Sequence, residues 1–449
     1  MNLSHGSHAV HEEVYANVRK AAEDSGRAVA VMVDLQGPKI RLGKFEAGPY
    51  FLAVGDIFKI TTDDVIGTKE LSGTTFKGLP DDVAPGDFLL IDDGKVKVVV
   101  TSVDGPVVTT EVVVAGEVSN NKGINLPGVA VNVPALSEKD EGDLRWGLRL
   151  GADYIALSFV RNEHDIVRVH EIMAEEGRKI PVIAKIEKPQ AVDHLEAIID
   201  AFDAIMVARG DLGVELPLER VPIVQKRTVE LARRMAKPVI VATQMLESMI
   251  SSPVPTRAET SDVANAILDG ADAVMLSGET SVGEYPVITV QTMARIVAST
   301  EEQGLERIPP LGTKPRTQGG AITLAAAEVA DFVDAKYVCV FTESGDSARR
   351  MSRLRVRIPM KAFTPDPAIR RRMALIWGIE SFIVDRVSHT DAMYRQVDDV
   401  LLREGLVEIG DKVVVISGSP PGIPGGTNDM RVHVIGDAIN AAAPAWAAD

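Results

Sequence analysis

Val182-Ile-Ala-Lys-Ile-Glu-Lys188 is a short apolar run that ends in charge, and Ala204-Ile-Met-Val-Ala-Arg-Gly-Asp211 repeats the pattern one element later. Both runs are nearly continuous in Val, Ile, Ala and Met, as strands covered on both faces tend to be. Four more follow the same rule: Ala28–Asp34, Tyr154–Val160, Pro238–Thr243 and Ala273–Ser277. Helical stretches separate them, and strand alternating with helix implies a parallel sheet. Several runs end in polar residues, namely Asp34, Lys185 with Glu187, Arg209 with Asp211, Thr243 and Ser277. Functional groups at the carboxyl ends of parallel strands mark the active face of a (β/α)₈, TIM-type barrel.

Outward from these runs the texture changes twice. From about Leu42 to Val133 the stretches DIFKITT, DFLLIDD, KVKVVVTSV and VVTTEVVV alternate with Gly- and Asp-rich turns, and little helical pattern is present. This reads as a small all-β module inserted between barrel strands. After Gly304-Leu-Glu-Arg-Ile-Pro-Pro-Leu-Gly312, a linker by its Pro and Gly content, strands at Tyr337–Phe341, Ser381–Val384, Val413–Ser417 and Val432–Ile435 alternate with helices such as Ser347–Arg355. The expected division is a barrel unit at 1–41 and 134–303, an inserted β-barrel lid at 42–133, and a C-terminal α/β regulatory unit at 304–449. Six barrel strands are clear and Met1–Leu3 offers a seventh stub. A closed barrel needs eight, so the first strand and helix are expected before Met1.

Composition narrows the function. The chain has 449 residues, 45% apolar and 25% charged, which is ordinary for a globular protein of several domains. A formal charge of −16 repels nucleic acid and anionic lipid, so neither is an expected partner. Small anionic substrates then require local positive charge or metal. With one cysteine, Cys339, no intrachain disulfide can form; with no apolar signal core and no run long enough to span a membrane, a cytoplasmic protein is expected.

Lys185 and Glu187 lie two apart on one strand and project to the same side. They form either a structural ion pair or part of a site. Asp211 follows a glycine just past a strand end, as a helix cap or as a ligand. Two carboxylates on adjacent strand ends suit a hard cation, because magnesium takes one or two protein carboxylates and completes its shell with water and substrate. Thr243 and Ser277 add hydroxyls at later strand ends. A strand-end lysine over a cavity contributes charge more than packing, so its loss is expected to spare folding.

Taken in order, Ser4-His-Gly, Asp34-Leu-Gln-Gly-Pro-Lys-Ile-Arg41, Asn121-Lys-Gly-Ile-Asn-Leu-Pro-Gly128, Ala135-Leu-Ser-Glu-Lys-Asp140, Ala184-Lys-Ile-Glu187, Met206-Val-Ala-Arg-Gly-Asp-Leu-Gly-Val-Glu215, Ala242-Thr-Gln-Met-Leu-Glu-Ser-Met249 and Asp272-Ala-Val-Met-Leu-Ser-Gly-Glu-Thr280 resemble pyruvate kinase almost from end to end. The resemblance implies phosphoryl transfer from phosphoenolpyruvate to ADP, with Mg²⁺ or Mn²⁺ at Glu187 and Asp211. It implies that the backbone at Gly210 and Asp211, with Thr243, holds the substrate carboxylate. Lys185 would stand beside the transferring phosphoryl group, and Thr243 or a nearby water would relay the proton. Asn2, Ser4, His5, Arg41 and Lys122 would meet the nucleotide. A monovalent-cation site would use Asn2, Ser4, Asp34 and Leu35. The loop of Thr342, Ser344, Gly345 and Ser347 would take a phosphorylated effector, and the assembly would be a homotetramer.

Two departures from the family pattern stand out. Members that require potassium carry an acidic residue where this chain has Lys39; its ammonium either substitutes for the ion, so that potassium is not required, or is a solvated surface group. Family chains also carry, before the position of Met1, an arginine that reaches the substrate phosphate. Its absence fits either a truncated start or a degenerate paralogue of little activity that binds effector or partner subunits. In the last unit the effector loop competes with plain helix capping by Ser344 or Asp346. Arg349, Arg350, Arg353, Arg355 and Arg357 form either an anion site or a solvated face. A metal-dependent aldolase on the same barrel is the rival enzyme, disfavoured by the inserted module and the C-terminal unit.

Overall fold

The computed structural model describes residues 1–129, 133–423 and 425–437. Six parallel strands, Met32–Asp34, Tyr154–Leu157, Val182–Ile186, Ala204–Ala208, Val239–Ala242 and Ala273–Val274, pair each with the next in chain order. Met1–Leu3 adds no full strand, only a parallel bridge from Asn2 to Asp34. Alternation along each strand sorts the side chains. Ile155, Leu157, Val182, Ala184, Ile205 and Val207 pack outward with helix residues such as Leu144, Ile172 and Val229. Tyr154, Ala156, Ile183, Met206 and Ile240 form a second cluster on the other face. Both faces are covered, which is why the runs are apolar throughout. Lys185 and Glu187 share the register of Ile183, so they extend that inner face beyond the apolar layer.

Four strands are shorter than the sequence suggests. Tyr154–Val160 stops at Leu157, ahead of the left-handed Phe159 (φ 55°), and Pro238–Thr243 stops at Ala242, ahead of Thr243 (φ 69°). Pro238, lacking an N–H, also stays outside the ladder. Ala28–Asp34 contracts to Met32–Asp34, and Ala273–Ser277 to Ala273–Val274, because only those residues find ladder partners.

Within the insertion, Leu71–Gly73, Ile57–Thr61, Val107–Val114, Val96–Asp104, Phe88–Ile91 and Ile124–Asn125 make one sheet in that order, beside a pair formed by Tyr50–Leu52 and Gly116–Val118. Its own core contains Phe58, Ile60, Leu89, Ile91, Val98 and Val112.

The C-terminal sheet runs Ile379–Ile383, Met360–Thr364, Tyr337–Phe341, Lys412–Gly418, Thr427–Val434, with only the last strand antiparallel. The strands expected at Ser381–Val384 and Val432–Ile435 begin earlier, the helix expected at Ser347–Arg355 is Asp346–Ser352, and Met360–Thr364 was not foreseen. Lys361 interrupts that run, yet it is buried, ion-paired to Glu380 and set over the Tyr337 ring. Cys339 sits fully buried in the central strand, and burial pushes its thiol well above the usual range. Residues 438–449 of the expected C-terminal unit lie outside the described residues. Asp153 joins the two α/β parts: its buried carboxylate accepts from Arg19 (2.6 Å), from the Val31 N–H (2.8 Å) and from Arg371 of the C-terminal part (2.9 Å).

Candidate active site

The carboxyl ends of the barrel strands gather most of the residues singled out above. Lys185 Nζ lies 3.0 Å from Glu187 Oε1 and 3.2 Å from Asp34 Oδ1, and donates to Ser158 Oγ at 2.9 Å. Burial works against its charge, but Glu187 and Asp34 outweigh burial, so its pKa is raised and it stays an ammonium. Glu187 is 1% exposed, and its other oxygen accepts from the Phe159 N–H at 2.7 Å. The left-handed turn at Phe159 is what aims that N–H at the carboxylate.

Asp211 stands in the first turn of the Arg209–Glu215 helix. Burial, and then the charge of Glu187, push its carboxyl up to about 6, against the pull of Lys185 and Lys39. Two carboxylates that repel one another in a half-dry site are the donor set a divalent cation suits, and their number matches magnesium's habit. No group of three or more His, Cys, Asp or Glu gathers as a metal cluster among the described residues. Glu187 and Asp211 therefore fit a hard cation that takes its remaining ligands from water and substrate.

Thr243 closes the next strand. Its Oγ1 accepts from the Gly210 N–H at 2.7 Å and donates to the Ala242 carbonyl at 2.6 Å. Arg209, anchored on Asp262 at 2.7 Å, donates to the Thr243 carbonyl at 2.8 Å and so braces the left-handed backbone there. Ser277 is the N-cap of a short helix, Gly278–Ser281, with no capping bond from its side chain.

At the edge of the sheet Asn2 bridges to Asp34, the Leu3 N–H donates to the Asp34 carbonyl at 2.9 Å, and Asn2 Oδ1 accepts from the Ser4 N–H at 2.9 Å. His5 follows with a long N–H bond to the Asn2 carbonyl, 3.4 Å. Asn2, Ser4, Asp34 and Leu35 are thus neighbours. Lys39 makes no hydrogen bond or ion pair with Asn2, Ser4 or Asp34 among the described residues; it is half-buried in a cleft wall and its charge acts on Asp211. Arg41 pairs with Gly123 across an antiparallel bridge, which brings it beside Lys122. Arg41 donates to the Asn121 carbonyl at 3.0 Å, and Lys122 rests on Asp92 at 3.0 Å.

Several residues here escaped the sequence reading. Ser158 holds Lys185, and Lys188 and Asn125 both reach Glu215, at 2.6 and 3.1 Å. The last contact ties the β module to the barrel. Its cleft is lined by Lys39, Phe159, Arg161 and Lys188 among others. The signal was present in the polar residues beside the quoted strings, but partners so distant in sequence cannot be matched by inspection.

In the C-terminal part, Thr342 Oγ1 accepts from the Gly345 N–H at 2.8 Å and Ser344 Oγ from the Asp346 N–H at 3.4 Å, while Ser347 bonds Thr427 Oγ1 at 2.6 Å. Gly345 takes a left-handed φ of 81° that a side chain would strain. These residues line a cleft open to solvent. The arginines beyond do not form one face. Arg349 and Arg350 pair with Asp346, Arg357 with Glu306, and Arg355 is buried.

Fold and strand-end cluster together define the class: a parallel-barrel chain with a polar cluster at the carboxyl ends of its strands, the usual address of such an enzyme's active site. Residues 1–290 match the family model described as pyruvate kinase, barrel domain, and residues 320–433 match pyruvate kinase, alpha/beta domain. The chain is 56% identical over 437 residues to the pyruvate kinase of Corynebacterium glutamicum and 54% identical over 437 residues to that of Mycobacterium tuberculosis, covering 97% of this chain and 92% of each relative. A crystal structure of a pyruvate kinase from Cryptosporidium parvum superposes with a TM-score of 0.89 at 34% identity, covering 97% of this chain and 90% of that one. The chain belongs to the pyruvate kinase family and is a phosphotransferase.

Proposed function

We infer that the chain transfers the phosphoryl group of phosphoenolpyruvate to ADP, giving pyruvate and ATP. The observation that carries this reading is the convergence of Lys185, Glu187, Asp211 and Thr243 on adjacent strand ends in a chain of this family. Glu187 and Asp211 hold Mg²⁺ or Mn²⁺, which when bound supplies positive charge to the substrate's oxygens. The Lys185 ammonium, fixed by Glu187, Asp34 and Ser158, faces the charge that builds on the phosphoryl oxygens and then on the enolate. Gly210, Asp211 and the Thr243 hydroxyl orient the substrate carboxylate, and Thr243, alone or through water, delivers the proton to the enolate carbon.

Arg41 and Lys122 receive the nucleotide phosphates from the base of the β module, with Asn2, Ser4 and His5 at the opposite edge. The module, taken as residues 42–133, closes as a lid and excludes water. Residues 1–41 and 134–303 form the catalytic unit and 304–449 the regulatory one. Lys39 supplies the positive charge that potassium otherwise brings near the site of Asn2, Ser4, Asp34 and Leu35, through its field rather than by contact with them; that field reaches Asp211. The cleft at Thr342, Ser344, Gly345 and Ser347 takes a phosphorylated effector, and the enzyme works as a cytoplasmic homotetramer. No helix among the described residues is long and apolar enough to cross a membrane. The test is an assay coupling pyruvate formation from phosphoenolpyruvate and ADP to NADH oxidation. No divalent-dependent turnover would overturn the reading.

A further inference from the structure

On the opposite side of the barrel, at the amino ends of the strands, a small cavity opens against the C-terminal part. Arg233, Lys237 and Asp272 of the barrel line it together with Arg349, Arg353 and Arg355. Lys237 Nζ is held by the Asp200 and Phe202 carbonyls and Arg349 by Asp346, which leaves Arg233, Arg353 and Arg355 beside one carboxylate of the cavity wall. That carboxylate is already in use: Asp272 accepts from the Val239 N–H at 3.0 Å and the Trp377 N–H at 3.1 Å, and pairs with Arg355 at 3.1 Å.

Most terminal nitrogens of Arg233, Arg353 and Arg355 donate to carbonyls. Arg233 donates to Pro309 and Arg353, Arg353 to Arg234, and Arg355 to Gly270 and Ser352. The Nε–H groups of Arg233, Arg353 and Arg355 have no acceptor among the described residues. Arg233 is 4% exposed and Arg355 6%. A buried donor without an acceptor costs free energy, and more so on a charged group. The strain of the cluster shows in its protonation: burial, then Arg355, push Arg233 down to about 10, and burial lowers Lys237 and Arg353 as well.

We propose that this cavity binds one small inorganic anion of halide size, held by the Nε–H groups of Arg233, Arg353 and Arg355. Its free space admits a body of about one water molecule. A phosphate ester does not fit that volume. Because Arg233 comes from the barrel and Arg353 and Arg355 from the C-terminal part, the bound anion fastens the two together. Arg355 also stacks on Trp377, 4.9 Å from the ring centroid, which places a fluorescent reporter beside the site.

The intact protein is dialysed into sodium gluconate and titrated with sodium chloride at constant ionic strength, following melting temperature and tryptophan emission. A saturable rise in melting temperature with a parallel change in emission is expected, since an anion that binds only the folded state stabilises it by mass action. The Arg353→Gln variant keeps the carbonyl that Arg233 uses but loses one Nε–H, and should need at least tenfold more chloride. Inorganic phosphate should not reproduce the effect. Crystals of the unaltered protein soaked in bromide should show an anomalous peak between the three Nε atoms, which decides the matter if the variant fails to fold. A response identical in chloride and gluconate, an equal response to phosphate, or no bromide peak at this position would overturn the proposal.

Discussion

Replacing Lys185 with methionine removes the ammonium that lies among three carboxylates. Its nitrogen lies 3.0 Å from Glu187 and 3.2 Å from Asp34, and Asp211 feels its charge as well. At an effective dielectric of about 20, each contact at that range is a gross attraction of ~5 kcal/mol. Most of this is offset by the water the ions give up. What survives is the cost of leaving buried charge unpaired, ~3–5 kcal/mol. For a folding unit of this size class that is a fall of roughly 6–20 °C in melting temperature. The sequence alone expects the substitution to spare folding; the ion pairs inside the site say otherwise. Turnover should fall by ~10²–10³ or more, the usual price of one preorganised charge at a reacting centre. Added Mg²⁺ should raise the melting temperature of Lys185→Met more than that of the parent, because a divalent cation restores positive charge between the carboxylates. Calorimetry with and without Mg²⁺, beside the coupled assay, measures all three effects. Turnover near the parent's refutes the catalytic role, and an unchanged melting temperature refutes the electrostatic account.

Glu187→Gln and Asp211→Asn should each shift the Mg²⁺ titration of activity to higher concentration, an amide being a poor magnesium ligand; unchanged curves in both would refute the metal assignment. Stripping divalent cations with EDTA should abolish turnover, and Mg²⁺ or Mn²⁺ should restore it. Metal-free protein should lose stability as pH rises from 3.8 through about 6, because the folded state there holds a proton on Asp211 that the unfolded chain releases; Asp211→Asn should flatten that part of the melting-temperature profile, and an unaltered slope would count against it. The parent should turn over in sodium buffer without potassium, whereas Lys39→Glu should create or increase a potassium requirement; strong potassium activation of the parent would contradict the role given to Lys39.

The parts of this protein that follow from local pattern could be read from the sequence. Ala204–Ala208 announces itself because apolar residues run unbroken, and Val182–Ile186 because Lys185 is the one interruption in a run buried on both faces. Lys185 and Glu187 stand out as charge on that inner register, whether as an ion pair or as part of a site. What escaped depends on partners distant along the chain. Met360–Thr364 hides its strand character because Lys361 breaks the apolar run, and only Glu380 and Tyr337 explain why a lysine can be buried there. Ser158, Lys188 and Asn125 look like ordinary loop polarity until the fold sets them against Lys185 and Glu215. Arg353 and Arg355 could be read either as part of an anion site or as a solvated face, since nothing local reveals that Asp272 and Arg233 lie across from them.

The burial of Cys339 has a practical corollary. The chain carries one thiol, and it is sealed in the middle of a sheet with its ionisation suppressed. Alkylating and maleimide reagents attack the thiolate and need access to it, so the folded protein should be almost inert to them. Spectroscopists usually have to delete native cysteines before adding one of their own. Here a pair of surface cysteines, one on the β module and one on the barrel, could carry fluorophores with no other change, and the distance between them could be followed through the reaction cycle.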